Sequence, residues 1–512
     1  MKSFYAVLRC VALSALLVAM TACTKDEKPK NFNPTPPPQT ANEEINMFVD
    51  AYLQAYYLWN EEYQTLTLNY DQSYDNFLTN TLMSMKTNTF DKKMRNGYWQ
   101  LYSYIQKLSS AGYNSVSSRG VGHGISKEMY YGFGFMKFVA TEYQAEDGMA
   151  YALVVEGVYP DTPAAEAGIH RGTTILKVNG QSLTRSNIQN YANTLIYPTN
   201  NKTIELTLND ENSEPVQITS KAIYENPVLC SKVIEQGGKK IGYLAYSGFE
   251  AAYDDDVLSA FESFKAAGVN DMILDLRMNG GGHVITAKMI STCIGGNACQ
   301  GQVFQYYRYN DARMETPEAT ATQTNMTYDS SKKLFYEKFA YDEAYFGVDL
   351  KPYALDLPRV YVIVSNNTAS SSEAVIGSLK GVGVDVILIG STTNGKNVGM
   401  EPTSFTTSTG QFYLCPITFQ TYNAMGDSVD PNGIAPNYPV DDWGSNGYSD
   451  FGEAADPCIA QALTLITGEA PASLSRKAVC GLNLRMDQSI NLPNACGPKG
   501  MLMLPREMPL NK

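Results

Sequence analysis

Hydrophobic and polar positions change their spacing along the chain, and each change predicts a different kind of structural element. In the N-terminal part, apolar and aromatic residues recur at three- and four-residue steps, as in INMFVDAYLQAYYLW, which predicts helices. The next part contains short β-like runs such as MAYALVVEGV and TILKVNG, with glycines between them. The pattern therefore predicts a small helical domain over residues 42–125 and a compact β-rich domain over residues 130–222.

Strand-like and helix-like segments alternate over residues 223–470. DMILDLR, RVYVIVSN and DVILIG have the composition of buried strands, and amphipathic segments such as DVLSAFESFKAAG separate them. Strands with helical crossovers between them favour a mostly parallel sheet. The predicted fold class is therefore α/β plus an all-β module, preceded by the small helical domain. Residues 471–512 form a tail that the pattern does not place.

The first 23 residues (1–23) have the pattern of a signal peptide. Lys2 and Arg9 accompany an eleven-residue, largely apolar segment, CVALSALLVAM, which is too short to span a bilayer as a helix. The small residues directly before Cys23 resemble a bacterial lipobox, and that resemblance implies a lipid on this cysteine. The alternative is a secretory signal with a chance cysteine. The proline-rich residues 24–41 then predict an extended linker.

The sequence TKDE, directly after Cys23, resembles the export tag of Bacteroidetes surface lipoproteins. These resemblances imply a cell-envelope lipoprotein of the outer membrane, either surface-exposed or on the periplasmic side. Membrane contact would then occur through the lipid anchor alone. The net charge of −13 argues against a nucleic-acid partner, because the chain has no basic excess to displace phosphate counterions. The oligomeric state is left open.

The chain contains nine cysteines and three histidines. Cys293 and Cys299 are close in sequence, as are Cys480 and Cys496, and either pair could form a disulfide outside the cytoplasm. No CxxC pair and no His/Cys cluster occurs in the sequence. The sequence therefore predicts no zinc site. The chemistry expected of the residues described next needs no metal and no organic cofactor.

Three strand ends of the α/β region carry residues suited to catalysis, and such ends are where sites of α/β proteins form. The first, DLRMNGGGH (275–283), has three glycines whose amides can approach a ligand closely. The second, SNNTASSSE, places Ser370 and Glu373 in the spacing of a capping box, at a helix start with free amides. The third, GSTTNGKNVG, carries Lys396.

Ser370 and Lys396 form a chemically sufficient pair if the fold brings them together. A serine hydroxyl needs a base within reach, and a lysine can be that base when burial favours its neutral form. Two alternative interpretations that involve no Ser-Lys catalysis compete with this one. Most Ser-x-x-Glu patterns only cap a helix, and the segment from Gly390 to Lys396 nearly matches a phosphate-binding loop. The second is disfavoured because Asn397 stands where a Ser or Thr should bind magnesium.

In this order, the three segments resemble the S41 family of carboxyl-terminal processing, or tail-specific, serine proteases. The family's DLRxNxGG, SASASE-like and GExTxGK motifs correspond here to DLRMNGGG, TASSSE and GSTTNGK. The resemblance implies a ClpP/crotonase-like α/β domain with Ser370 as the nucleophile and Lys396 as the general base. It also implies an oxyanion hole formed by the backbone N–H groups of Gly281 and Ser371.

The β-rich domain resembles a PDZ domain. YGFGF is similar to the carboxylate-binding loop of such domains, so the resemblance assigns a peptide C-terminus to the amides of Phe133, Gly134 and Phe135. PDZ domains bind C-terminal peptides by adding them as a strand to a sheet edge. The two resemblances together imply a serine endopeptidase that cleaves proteins or peptides near their free C-termini.

Two residues leave alternatives open. Many S41 members have a glutamine four residues after the lysine, but this chain has Met400, which is a poor hydrogen-bonding partner. Met400 therefore keeps open a catalytically inactive envelope lipoprotein that only binds peptides through its PDZ domain. A related branch, resembling tricorn proteases, uses a histidine base, and His123 is the candidate for that role here.

Overall fold

The computed structural model describes residues 38, 40–95, 98–108, 127, 129–145, 148–199, 201–443, 447–470, 482–490, 492–494 and 500–502. The predicted signal peptide with Cys23 lies outside the described residues, and so do most of the linker and His123. Among the described helices, none has the length and apolar character needed to cross a bilayer.

The described part of the N-terminal region forms three α-helices followed by three short strands. Their bounds are α1 Ala41–Tyr56, α2 Asn60–Tyr63, α3 Tyr74–Ser84, β1 Lys92–Arg95, β2 Tyr98–Leu101 and β3 Tyr104–Lys107. A capping box starts α1, because Thr40 Oγ1 accepts a hydrogen bond from Glu43 N–H and the Glu43 carboxylate accepts one from Thr40 N–H, both at 3.1 Å. The helical pattern thus extends to Ser84, and strands follow it.

These helices do not close a hydrophobic core by themselves. Leu53 and Phe77 belong to one buried cluster with Val398, Phe412 and Ile417, which come from the far end of the α/β region. In addition, β3 pairs with a strand of that region through Leu414 and its neighbours. The N-terminal region is therefore joined to the α/β domain by a shared core, a relationship that its local pattern does not show.

The described residues of the β-rich domain form eight strands and two α-helices. Their bounds are β4 Met129–Gly132, β5 Phe135–Ala145, β6 Gly148–Val158, α4 Pro163–Glu166, β7 Thr174–Val178, β8 Gln181–Ser182, α5 Ile188–Ile196, β9 Thr203–Leu208, β10 Val216–Thr219 and β11 Lys221–Tyr224. The main sheet has the order β10-β9-β7-β6-β5. Its core lies between the sheet and α5, where Phe138, Leu206 and Leu195 are buried together.

The α/β domain follows directly. Its elements are β12 Val228–Gln236, β13 Lys239–Tyr246, α6 Asp254–Ala267, β14 Asp271–Asp275, β15 Gly281–His283, α7 Val284–Gly295, β16 Val303–Arg308, α8 Asp311–Glu315, α9 Pro317–Thr324, β17 Thr327–Asp329, β18 Leu334–Lys338, α10 Glu343–Phe346, β19 Arg359–Val364, α11 Ser371–Gly381, β20 Asp385–Gly390, β21 Val398–Met400, β22 Thr403–Thr407, β23 Gly410–Cys415, β24 Ile417–Tyr422, β25 Tyr438–Pro439 and α12 Pro457–Thr467.

The central sheet of this domain has the order β12-β13-β14-β19-β20-β25. All its neighbouring strands run parallel except β12 and β13. The predicted α/β fold with a mostly parallel sheet and a separate β-rich module is therefore confirmed. Two further strands follow α12, β26 Arg485–Met486 and β27 Gly500–Leu502. They lie in the tail that the sequence pattern leaves unplaced.

The cysteine pair nearest in sequence does not form a disulfide. Cys293 and Cys299 are both free thiols, and the Cys299 thiol donates to the backbone oxygen of Ser291 at 3.5 Å. The possible Cys293–Cys299 bridge is thus wrong, because Cys299 already has this partner inside the core. Cys480 and Cys496 lie outside the described residues.

Candidate active site

The three strand ends meet at one edge of the central sheet, because β14, β19 and β20 are parallel neighbours. The loops that follow them are hydrogen-bonded to one another. Ala369 N–H donates to Asn279 O at 3.2 Å, and Asn394 N–H donates to Thr368 O at 2.8 Å. The glycine segment, the serine turn and the lysine loop are therefore a single assembly, as the parallel sheet requires.

Ser370 occupies a strained position between β19 and α11. It is the N-cap of α11, and its backbone has φ 61° and ψ −112°, a conformation that side chains with a Cβ rarely adopt. The residue is fully buried, and Ser370 Oγ has no hydrogen-bond partner in the part of the chain that the structure describes. A buried hydroxyl without a partner is costly and is typical of a functional position.

Glu373 holds the serine turn and the lysine loop together. Its Oε2 accepts hydrogen bonds from the backbone N–H groups of Ser370 at 2.8 Å and Lys396 at 2.9 Å. Its Oε1 accepts from Gly395 N–H at 2.7 Å and from the Thr393 hydroxyl at 2.6 Å. Burial raises the pKa of this carboxyl, and these four donors oppose that rise. Because Ser370 Oγ has no hydrogen-bond partner in the described chain, its hydroxyl is available for a role other than capping.

Lys396 is buried among aromatic, sulfur and polar groups. Its Nζ lies 4.5 Å from the centroid of the Tyr102 ring and 3.9 Å from the Met400 sulfur. Asp91 is also near: burial raises the pKa of Asp91, and the charge of Lys396 opposes that rise. The Tyr102 hydroxyl donates to Asn394 Oδ1 at 2.6 Å, which fixes the ring beside the lysine loop. Sequence reasoning missed Tyr102 and Asp91, since neither belongs to a motif.

The two predicted oxyanion donors differ in their surroundings. Ser371 is the first residue of α11, and its hydroxyl donates to Gly282 O at 2.7 Å, which ties the helix start to the glycine segment. Gly281 N–H instead donates to Asn279 Oδ1 at 2.9 Å. Gly281 can therefore bind an oxyanion only after this bond to Asn279 is exchanged. The catalytic roles of these residues remain predictions.

The DLR motif forms a buried ion cluster below the site. Arg277 bonds both Asp275, with Nη2 and Oδ2 2.8 Å apart, and Asp456, with Nη1 and Oδ2 2.8 Å apart. Arg171 of the β-rich domain joins the cluster, 2.8 Å from Asp442 and 3.4 Å from Asp456. Burial raises the pKa of Asp456, but the two arginines hold it below its usual value. The cluster thus couples the two domains, a role that the motif alone does not reveal.

The predicted carboxylate-binding loop lies between β4 and β5. Phe133 and Phe135 are buried in the core of the β-rich domain. A side chain at Gly134 would meet Thr162 Oγ1 at 2.0 Å, and the glycine has φ 100°, so only glycine fits there. Among the described residues, no hydrogen bond involves the N–H groups of Phe133 and Gly134. These amides have the chemistry that a peptide carboxylate needs, and their binding role stays a prediction.

The described residues contain no group of three or more His, Cys, Asp or Glu side chains that could hold a metal ion.

The fold and the site define a protein with a β-rich domain followed by an α/β domain. The α/β domain carries a serine at a strained strand-to-helix turn. Residues 154–209 match the family model of the PDZ domain, and residues 240–440 match that of peptidase family S41. The α/β domain therefore matches peptidase family S41 and the β-rich domain matches the PDZ domain, as the motifs predict.

Relatives and solved structures agree with this assignment. Carboxyl-terminal-processing proteases of Picosynechococcus sp. and Synechocystis sp. are 24% and 27% identical to this chain over 316 and 314 residues, 60% of this chain in each case. The matched regions span 65% and 63% of those relatives' own length. A crystallised Bacteroides fragilis protein assigned to the S41 proteases superimposes with a TM-score of 0.62 at 24% identity, covering 87% of this chain and 99% of that one. This last likeness shows a common fold.

Proposed function

We propose that this protein is a serine endopeptidase that cleaves proteins or peptides near their C-termini. One observation carries the proposal: Glu373 accepts hydrogen bonds from the backbone N–H groups of both Ser370 and Lys396, while the buried Ser370 hydroxyl has no hydrogen-bond partner in the described chain. A hydroxyl kept free of competing hydrogen bonds at a helix N-terminus is suited to nucleophilic attack. The PDZ domain and the names of the two cyanobacterial relatives support a substrate with a free C-terminus.

In the proposed mechanism, Lys396 Nζ takes the proton of Ser370 Oγ as this oxygen bonds to the scissile carbonyl carbon. Backbone N–H groups of Ser371 and of the glycine segment, with Gly281 the candidate, hold the negative carbonyl oxygen. The C–N bond then breaks, and the leaving amine takes the proton from Lys396. Lys396 then takes a proton from water as the water oxygen attacks the ester carbon. The ester C–O bond breaks, and Lys396 returns this proton to Ser370 Oγ, which restores the free serine. The reaction uses no cofactor.

We also propose that the protein is a lipoprotein of the outer membrane, anchored by a lipid on Cys23. The support is the signal-peptide pattern, the small residues before Cys23 and the proline-rich linker behind it. Metabolic labelling with a radioactive fatty acid tests this, because label should enter the wild-type chain and be lost from Cys23→Ala. Equal labelling of both chains would refute the anchor.

A fluorophosphonate probe tests the proposed chemistry directly. The full chain should form a covalent adduct on Ser370, and Ser370→Ala should remove it. Ser391→Ala changes an exposed serine on the loop after β20 and is the matched control, which should label as the wild type does. Persistent labelling of Ser370→Ala would overturn the nucleophile assignment. Comparing Lys396→Ala with His123→Ala separates the two candidate bases, since only loss of the true base abolishes turnover.

A second candidate function is peptide binding without hydrolysis. Two observations favour it: Gly281 N–H donates to Asn279 Oδ1, and the sulfur of Met400, a weak acceptor, lies 3.9 Å from Lys396 Nζ. Under this alternative, the full chain would bind C-terminal peptides but would neither label with the fluorophosphonate probe nor release cleavage products.

A further inference from the structure

The edge of the PDZ sheet is already occupied by the protein's own C-terminal region. Strand β26 pairs antiparallel with β5, with Met486 opposite Thr141. Asp487 N–H then donates to Ala140 O at 2.9 Å. Without β26, β5 would be the last strand of its sheet. A sheet edge of this kind is where PDZ domains add a peptide as an extra strand.

Apolar side chains of the same region fill the space beside β5. Ile490 and Leu492 pack against the buried cluster that includes Phe138 of β5 and Ala192 of α5. The region therefore contributes both the backbone pairing and the apolar contacts by which an extended peptide binds between a strand and a helix.

Arg185, on the loop before α5, recognises an acidic residue of this region. Its guanidinium is 2.5 Å from the Asp487 carboxylate and also donates to Ser489 Oγ at 2.8 Å. The Tyr151 hydroxyl donates to the same Asp487 oxygen at 3.3 Å. The carboxylate thus has two protein donors that belong to the PDZ domain.

The chain then passes from the PDZ domain to the serine turn. Asn494 forms a β-bridge with Lys137 of β5. Its side-chain amide also donates to Asn367 Oδ1 at 3.1 Å, and Asn367 lies three residues before Ser370 in the sequence. One residue therefore touches both the peptide edge of the PDZ domain and the loop that carries the candidate nucleophile.

The C-terminal region ends, within the described residues, in strand β27, which lies inside the candidate active site. It runs parallel to β15 on one side, where Gly500 is opposite Gly281, and parallel to β21 on the other, where Met501 is opposite Gly399. Strand β15 begins with the candidate oxyanion residue, and β21 begins two residues after Lys396. Within the described residues, β27 is the strand that separates these two elements, and Ser370 is fully buried beside them.

We propose that the described part of the C-terminal tail acts as a tethered peptide ligand that blocks the enzyme's own substrate path. This part consists of residues 482–490, 492–494 and 500–502, and the word tail means these residues from here on. The ligand class is an extended peptide with an acidic residue followed three and five positions later by apolar residues, as in Asp487, Ile490 and Leu492. Arg185 forms an ion pair with the acidic residue, and β5 pairs with the backbone of the peptide. The proposal rests on the proposed function for the identity of the cleft.

Tethering makes this ligand effective without tight contacts. A segment linked to its own binding site acts at an effective concentration of about a millimolar. An external substrate must compete with the tail, so the apparent affinity for that substrate is its intrinsic affinity multiplied by the fraction of molecules in which the tail has left the site. Loosening the tail should therefore strengthen binding of an external peptide, although no residue of the binding edge is changed.

The test measures binding in the Ser370→Ala background, so it does not require catalysis. The probe is a fluorescein-labelled synthetic peptide, LNLRMDQSINLPN, which copies residues 482–494. Ile490→Asp places a charge against the apolar cluster and should expel the tail, so we expect at least tenfold tighter binding of the probe in fluorescence anisotropy. Gln488→Asp changes an exposed neighbour and is the matched control, which should bind the probe as weakly as the parent. Equal affinity for all three chains would overturn the proposal.

A charge exchange provides an independent measurement on the full chain. Hydrogen exchange of the β5 amides should be slow in the parent, faster in Asp487→Arg and in Arg185→Asp, and slow again when both substitutions are combined. A merely misfolded single variant would not be rescued by the second change. Identical exchange in all four chains would show that the tail does not hold the edge. If the protein labels with the fluorophosphonate probe but shows neither the change in peptide binding nor the change in hydrogen exchange, the proposed function stands and only the self-inhibition is refuted.

Discussion

The backbone N–H groups of Ser370 and Lys396 donate to the same oxygen, Glu373 Oε2, at 2.8 and 2.9 Å. The two residues lie at the ends of neighbouring parallel strands, and one buried carboxylate fixes the separation of their backbones. Glu373 belongs to the capping box that the sequence predicts. Its carboxylate binds backbone N–H groups of two loops, the serine turn and the lysine loop, rather than of one helix start alone. It positions the candidate nucleophile and base without touching a substrate.

Glu373→Gln should disrupt this arrangement. A glutamine side chain offers only one oxygen and presents an NH2 group to donors that now face a carboxylate oxygen. We expect a loss of about 2–4 kcal/mol in the free energy of unfolding, since buried N–H groups lose their acceptor. Catalytic turnover should fall with it. Denaturant unfolding measures the first effect, and Glu262→Gln, at an exposed position of α6, is the control that should change neither. Identical stability of the two variants would contradict the positioning role.

Backbone strain at Ser370 predicts a difference between two inactive variants. Both Ser370→Gly and Ser370→Ala lack the nucleophile, but only glycine adopts φ 61° and ψ −112° without steric conflict. Ser370→Gly should therefore be more stable than Ser370→Ala by about 1–2 kcal/mol. Thermal unfolding of the two proteins checks this. If alanine proved equal or more stable, the turn would not be strained.

Buried Asp254 should make stability fall as the pH rises. Burial raises the pKa of this carboxyl from 3.8 to about 8, and the Thr286 hydroxyl bond to Asp254 Oδ1 at 2.7 Å only partly opposes the rise. Between these two pH values the folded chain binds a proton that the unfolded chain has lost, so the free energy of unfolding decreases with increasing pH. Asp254→Asn should remove this slope, as unfolding measured from about pH 4 to pH 8 would show. A parent protein whose stability rises through this window would contradict the assignment.

Arg171→Met should weaken the junction between the PDZ and α/β domains. The substitution keeps an unbranched side chain without the charged guanidinium and leaves the buried Asp456 with one arginine instead of two. We expect a destabilisation of about 3 kcal/mol, because a buried ion cluster loses a charge. Lys221→Met removes an exposed pair with Glu166 and should cost at most about 0.5 kcal/mol. Denaturant unfolding of both variants compares these costs, and equal effects would rule out the proposed coupling.

Local sequence patterns predicted the elements that bear the site. Runs of apolar residues identified the parallel strands, and the parallel arrangement by itself brings their carboxyl ends to one edge. For this reason the sequence predicts that Ser370 and Lys396 meet if their strands are parallel neighbours. Gly134 is a similar case, since its surroundings require a residue without a side chain.

Other parts of the site were decided only by contacts between distant segments. Tyr102 lies beside Lys396, Arg171 of the PDZ domain joins the ions around Arg277, and the tail enters the gap between β15 and β21. No periodicity or short motif specifies such contacts, because each depends on how separate domains pack. The sequence by itself thus determined the strands, the turns and the order of the chemical groups. Only the tertiary structure decided what surrounds the lysine and what occupies the peptide path, since burial and pairing of remote segments arise from packing of the whole chain.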